Sequence, residues 1–358
     1  MINRIIYPTI LLMCSMLLLQ AQQVSVPFDS EQWELGATKT NIEMYQGKKS
    51  LALSGGAIFL SEPSFFNGTI EVDVNFPDQL NFFGLIFRAR DEGNYEHFYL
   101  RPHQTGKPDA NQYTPQFNGF SGWQLYHGEA YSSQLDLVPD QWHHLKIVVR
   151  GNQATVYYDD MNQPLLEIPE LKGNFSAGKI GINSGQPVHF ANFSYELDNR
   201  SYPTPVSDET TDPKVITSWQ LTEALKNDDF ANPTQVNSSL LQSVQWTKYP
   251  TEAGGLLNIA RHVVPDEGKT TVVAKLEVTA NQDEIKGLAF GYSDEVLVYV
   301  NGKLQYAGQN NYRSRDFRYL GTIGYFDAVF LDLKEGKNEV WFVVKENFGG
   351  WGIQARWF

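Results

Sequence analysis

The sequence predicts an all-β chain of two β-sandwich (jelly-roll) domains joined by a Pro-rich linker. Three observations carry the prediction. Short runs of alternating apolar and polar residues, bounded by turn residues, recur along the chain, and no long helical period interrupts them. Aromatic residues make up 13%, charged residues only 19%, and there are 29 glycines, a balance that favours strands and turns over long helices. The 358 residues exceed one small core, and residues 199–214 are rich in Pro, Ser, Thr and Asp with few apolar side chains, as a linker is.

Residues 1–21 read as a signal peptide. Arg4 supplies the positive start, residues 10–19 form an apolar run too short to span a bilayer, and Ala21 offers a cleavage point before Gln22. Cys14, the only cysteine, lies inside that apolar run. Met13 before it and the apolar residues after it argue against a lipoprotein anchor there. A secreted or periplasmic protein is therefore expected, with no thiol after cleavage and no later transmembrane segment. The net charge of −13 argues against nucleic acid, which needs a basic footprint.

Residues 24–198 read as the first sandwich. In 69–76, Ile70, Val72, Val74 and Phe76 face in, while Glu71, Asp73 and Asn75 face out. Residues 83–90 continue the pattern. Residues 142–150 form a strand whose start places one of His143 and His144 inward and the other outward. Gly151-Asn152 then turns the chain into a hairpin with 154–158, and 179–183 and 188–195 close the unit. Residues 215–358 read as the second sandwich. A short helix is expected over 218–226, and strands over 270–278, 327–333 and 338–345. A hairpin of 295–300 and 303–306 turns at Asn301-Gly302, and a glycine-aromatic strand covers 349–358.

The stretch 95–127 carries the functional signal. Tyr95, His97, Tyr99 and Arg101 share one face of a strand, with Phe98 and Leu100 on the other. A long, polar loop over 104–118 is expected next, and Trp123, Gln124 and Tyr126 resume a strand. Aromatic faces beside amide, imidazole and guanidinium groups suit a neutral polyhydroxylated ligand, which stacks its C–H faces and bonds its hydroxyls. The expected ligand is a glycan or oligosaccharide. The expected contacts are Tyr95, His97, Tyr99, Arg101, His103, Asn111, Tyr113, Gln116, Asn118, Trp123, Gln124 and His127.

Two resemblances add to this reading. At 142–149, followed by Tyr157-Tyr158-Asp159 and Lys179-Ile180-Gly181, the first unit resembles the concanavalin A-like superfamily. It is most similar there to laminin-G-like modules and to the bacterial keto-disaccharide hydrolase domain group. The resemblance implies two stacked curved sheets whose concave face binds glycans, with the Tyr95–Arg101 ladder on that face. At 296–302 (VLVYVNG), 336–340 (GKNEV) and 349–352 (GGWG), the second unit is similar to galactose-binding-like jelly rolls. That resemblance implies an accessory domain of a kind that often binds carbohydrate.

Catalysis has one weak pair of candidates, Glu71 and Asp73. Family-16-type glycosidases with the concanavalin A-like fold carry Glu-x-Asp-x-x-Glu on one strand; here Asn75 and Phe76 stand around the position of the second acid. Retaining hydrolysis needs two carboxyls ~5–5.5 Å apart with separated pKa values. No Gly-x-Ser-x-Gly elbow is present. His97, His103 and His127 with Glu96 or Asp109 offer zinc-type donors, but in no compact zinc spacing. Asp160, Asp198 and Asp91-Glu92 near turns leave calcium open without defining a site, and no cofactor is assigned. In the second unit, Tyr312, Arg313, Arg315, Phe317, Arg318 and Tyr319 form a basic-aromatic loop able to meet an acidic glycan. Asn347, Trp351 and Gln354 form a weaker patch. The leading expectation is a carbohydrate-binding protein without catalytic residues of its own. The alternatives are a glycan-active hydrolase and an adhesion module that binds protein through a flat apolar patch.

Overall fold

The computed structural model describes residues 22–35, 39–203, 212–234, 238–311, 315–316, 318–319 and 321–358. The signal-peptide reading, Cys14, residues 204–211 of the linker, and Tyr312, Arg313 and Phe317 lie outside them. The regular structure of the described residues is almost entirely strand, arranged as two β-sandwiches. No described helix is long and apolar enough to cross a membrane.

Two antiparallel sheets form the first sandwich. The back sheet runs Leu166–Ile168, Gln153–Tyr158, His143–Arg150, Gly68–Asn75, Val188–Leu197, Lys48–Ser54 and Lys39–Tyr45. The front sheet runs Phe120–Ser121, Asn111–Phe117, Asn94–Leu100, Phe83–Asp91, Lys179–Ser184, Gly56–Leu60 and Trp33–Leu35. Period-two alternation decides what lies between them. Ile70, Val72, Val74 and Ile147 from the back sheet meet Leu85, Phe87, Phe98 and Ile182 from the front, all fully buried in one core. His143 faces into the sandwich, stacked between Phe76 and Tyr158, and His144 faces out, the split that alternation predicts.

Three local expectations are corrected. Residues 111–117 are not loop but the strand Asn111–Phe117, which pairs with Asn94–Leu100 so that Phe98 faces Tyr113. Pro115 is tolerated because only the two-residue strands Phe120–Ser121 and Ser132–Ser133 pair along its other side, so few ladder donors are demanded. Residues 122–127 do not resume a strand; the N–H groups of Leu125 and Tyr126 both donate to the Gly122 carbonyl in a tight turn laid over the front sheet. Residues 218–226 are not helical: Ser218–Leu221 is a strand with Trp219 and Leu221 buried, and the α-helix of the described residues is Ser238–Ser243.

The second sandwich packs a six-stranded sheet on a four-stranded one. The larger runs Thr247–Pro250, Ser218–Leu221, Thr271–Ala280, Gly336–Lys345, Glu295–Val300 and Lys303–Gln309. The smaller runs Leu257–Asn258, Gly352–Trp357, Glu284–Ser293 and Asp327–Leu333. Asn301-Gly302 closes its hairpin with φ of +49° and +78°, the doubly positive turn that Asn-Gly adopts at least cost. Val272, Phe290, Phe342 and Ile353 fill the core, and Phe117 and Phe175 of the first sandwich pack against it. The two sandwiches therefore share an apolar contact as well as polar ones.

Candidate functional site

The outer face of the front sheet holds the polar-aromatic ladder. Tyr95, His97 and Tyr99 point away from the core because Phe98 and Leu100 point into it. The ladder is nonetheless closed off: Tyr95, His97, Tyr99 and Arg101 are each 4–8% exposed. Their polar atoms bond to one another. Arg101 donates to Asp109 Oδ2 at 2.8 Å, to the Tyr99 hydroxyl at 2.8 Å, and to Gln112 Oε1. Tyr99 in turn donates to Gln112 Oε1 at 2.9 Å. The Gln112 amide donates to the carbonyls of Trp123 and Tyr126 at 2.9 and 2.6 Å, which fastens the 122–127 turn over this end of the sheet. His97 Nε2 lies 2.8 Å from Asn183 Oδ1. Burial pulls the His97 pKa down to about 4, so the ring is neutral and Nε2–H is the donor. Burial, then the Arg101 guanidinium, also lowers the pKa of His103, whose Nδ1 has no partner.

Beside the ladder lies an open cleft of about 440 Å³, framed by Phe59, Phe82 and Tyr95, with Glu92, Asn183 and Ser184 on its walls and Gly55 and Gly56 at its rim. Phe82 is 41% exposed and packs its ring against Tyr99 and His103. Asn183 spends its oxygen on His97, while its amide N–H2 has no protein partner among the described residues. The cleft thus presents aromatic faces and an unspent donor, supported by a buried network that holds the rings in place. Phe59, Phe82 and Asn183 are absent from the contacts expected from sequence. Their signal was the outward alternation of Phe59 and Asn183 on their strands, but only the strand order brings them next to Tyr95.

The expected contacts divide into three groups. Tyr95, His97, Tyr99, Arg101, His103 and the half-buried Gln116 belong to the outer face. Asn111 and Tyr113 do not: the pairing that sets Asn111 opposite Leu100 and Tyr113 opposite Phe98 turns both into the core, where each is fully buried. Asn111 donates to the Ser133 carbonyl, and Tyr113 donates to Glu96 Oε2 at 2.6 Å. Asn118, Trp123, Gln124 and His127 lie at the seam with the second sandwich. Asn118 donates to the Ala260 carbonyl at 2.8 Å, and the His127 ring reaches the Ile323 carbonyl at 3.0 Å. Gln124 donates to Asp294 at 2.9 Å and accepts from the Gly350 N–H at 2.6 Å.

Glu71 and Asp73 stand on the outer face of the back sheet, across the whole sandwich from the ladder. His144 bridges them, at 2.7 Å from Asp73 and 3.4 Å from Glu71, and Lys48 and Asn192 hold the other Asp73 oxygen at 2.7 and 2.6 Å. Against the burial that would raise it, these partners keep the Asp73 pKa at about 2, and His144 lowers that of Glu71. The same bonds raise His144 to about 9. Both acids are therefore ionised near neutral pH, and neither can serve as the protonated partner that glycoside hydrolysis requires. Glu96 faces the core while His97 faces out, and among the described residues no three His, Cys, Asp or Glu side chains form a group able to hold a metal ion. Asp91 is bonded by Asn94 and the Gly93 N–H, Asp160 caps Asn162, and Asp198 is paired with Arg200.

Among solved structures, the chain is similar to a carbohydrate-binding module from Bacillus subtilis at 20% identity, over 46% of this chain and 95% of that one, with a TM-score of 0.37. A Bacillus licheniformis β-glucanase is similar at 12% identity, over 49% and 98%, with a TM-score of 0.37. A Bacillus subtilis protein of galectin-like fold is similar at 12% identity, over 49% and 94%, with a TM-score of 0.36. No curated protein matches the chain. The first unit is a sandwich of two antiparallel sheets, and residues 28–196 match the family model of the 3-keto-alpha-glucoside-1,2-lyase-like domain.

Proposed function

We propose that the protein is a carbohydrate-binding protein that holds a glycan in the cleft of Phe59, Phe82 and Tyr95. The observation that carries the reading is the pairing of exposed aromatic surface with the unspent Asn183 amide over a locked polar network. Sugars are bound by such pairs, with C–H faces on rings and hydroxyls on fixed donors. Tyr95 is the ladder residue that faces the ligand; the buried His97, Tyr99 and Arg101 set the shape of the cleft from behind. The second sandwich is read as an accessory domain of galactose-binding-like type, and the protein as secreted or periplasmic, with no cofactor required for binding. Titration calorimetry against a panel of neutral oligosaccharides tests the reading. Phe82→Ala is expected to weaken the bound sugar by ~1 kcal/mol, about fivefold, while leaving the melting temperature nearly unchanged. Absence of binding to every member of the panel, or a Phe82→Ala variant that binds as the parent does, rejects it.

A catalytic reading is favoured by one observation, the match of residues 28–196 to a lyase-like domain. In this cleft it would rest on Glu92, the one carboxylate among the lining residues. Release of product from 3-keto-glucosides, abolished in Glu92→Gln, would establish it; binding without turnover in the same samples leaves the binding reading in place.

A further inference from the structure

A second cleft, of about 580 Å³, opens at the other end of the front sheet, where the first sandwich meets the second. Its walls come from both: Arg90, Asn118 and Asn174 from the first, and Arg261 from the second. Phe117 and Phe175 form its aromatic side, with ring centroids 5.0 Å apart. The Arg261 guanidinium lies over the Phe117 ring at 4.8 Å; it donates to the Lys172 carbonyl and reaches Glu252 at 3.3 Å, yet its buried Nε has no partner. Arg90 is exposed and has no ion-pair partner among the described residues. The one carboxylate on the wall, Asp91, is occupied by the Gly93 N–H and by Asn94 at 2.8 and 2.9 Å. Asn174 is exposed with its amide unspent. Beneath Gly173 lies the Glu96 carboxyl, whose pKa burial raises to about 7, so the negative charge it places below the floor is lost as pH falls below that value.

We propose that this inter-sandwich cleft is a second ligand site that takes the carboxylate of an acidic sugar, a uronate. Arg90 supplies a planar fork for the carboxylate, the pairing that guanidinium geometry favours. Arg261 adds positive potential from the opposite wall, the Asn118 and Asn174 side chains suit ring hydroxyls, and the Phe117–Phe175 pair offers an apolar surface. The site is chemically distinct from the front-face cleft, whose lining holds no cationic residue.

The test is titration calorimetry on the full chain with a galacturonate trisaccharide and with its carboxyl-reduced neutral counterpart. The acidic sugar is expected to bind at least about tenfold more tightly than the neutral one, and to lose affinity as salt is raised. Arg90→Gln is expected to abolish that preference without moving the melting temperature, since Arg90 is exposed and unpaired. Arg90→Lys is expected to retain part of it. Phe82→Ala, in the other cleft, is expected to leave uronate binding intact. Equal binding of the two sugars, no binding of the acid, unchanged affinity in Arg90→Gln, or loss of uronate binding in Phe82→Ala would each overturn the assignment.

Discussion

Glu96→Gln is the sharpest probe of how the first sandwich treats a buried acid. The side chain is fully buried on the core side of the front sheet; Oε2 accepts from Tyr113 at 2.6 Å and from the Gly173 N–H at 3.3 Å, and Oε1 has no partner. Burial lifts its pKa from 4.5 to about 7, against the opposing pull of Tyr113 and Arg88. The native state therefore keeps a proton that the unfolded chain gives up, and stability falls as pH rises between those two values. Across a window from about pH 5.5 to about pH 8.5, that one group removes ~2 kcal/mol from the parent protein. Glutamine cannot titrate, so the variant is spared the loss. Its new N–H2 occupies the place of the unpartnered Oε1, which costs ~1–3 kcal/mol at every pH. Urea unfolding of parent and variant at the two ends of the window separates the effects. The variant is expected to start below the parent at the acid end and to gain ~2 kcal/mol relative to it at the alkaline end. Glu346, which burial raises to about 9, titrates in both proteins and cancels in the difference. Parallel stability curves for parent and variant would refute the reasoning, because they would mean that Glu96 is already ionised in the native state.

The remaining predictions concern the ladder, the seam and the acids. Arg101→Ala is expected to cost ~3–5 kcal/mol, since it leaves Asp109 without its buried partner at 2.8 Å; a thermal melt checks it. Gln124→Ala is expected to cost ~2–4 kcal/mol, because it strips one donor from the buried Asp294 and orphans the Gly350 N–H, and the loss is read in a denaturant titration. Asp73→Asn is expected to leave glycan binding unchanged and to flatten the acid limb of the stability curve. A carboxylate held down at about 2 contributes stability above its ordinary pKa and loses it as pH falls through 2.

The fold was legible wherever period and turn chemistry act locally. Ile70, Val72 and Val74 announce their face, His143 and His144 divide as alternation requires, and Asn301-Gly302 names its own turn. Residues 111–117 were misread because Pro115 and several polar side chains conceal a strand that is stabilised by its neighbour Asn94–Leu100. That misreading is also why Tyr113 and Asn111 were expected at a ligand: without the register, nothing in the local sequence says that they oppose Phe98 and Leu100 and turn inward. Trp123, Gln124 and His127 were grouped with the ladder for their chemistry, which is right for hydrogen bonding but silent on the partner. The partners of Gln124 and His127 lie 170 to 226 positions away, a separation that no local pattern encodes. Phe59, Phe82 and Asn183 join one cleft only through strand order.

The turn from Gly122 to His127 is fastened on both sides. Its inner side anchors Gln112 and through it the Arg101 network, and its outer side engages Asp294, Gly350 and Ile323 of the second sandwich. The two halves are thus not interchangeable parts. A fragment ending near Leu197 would bare Leu125 and strand Gln124, and would loosen the roof over the very face that shapes the front cleft. Replacing the second half with an unrelated sandwich would have the same result unless the newcomer supplied an acceptor for Gln124 and a donor to meet its oxygen. Recombination of this chain with other modules is therefore restricted at the seam, although its linker is long enough to suggest freedom.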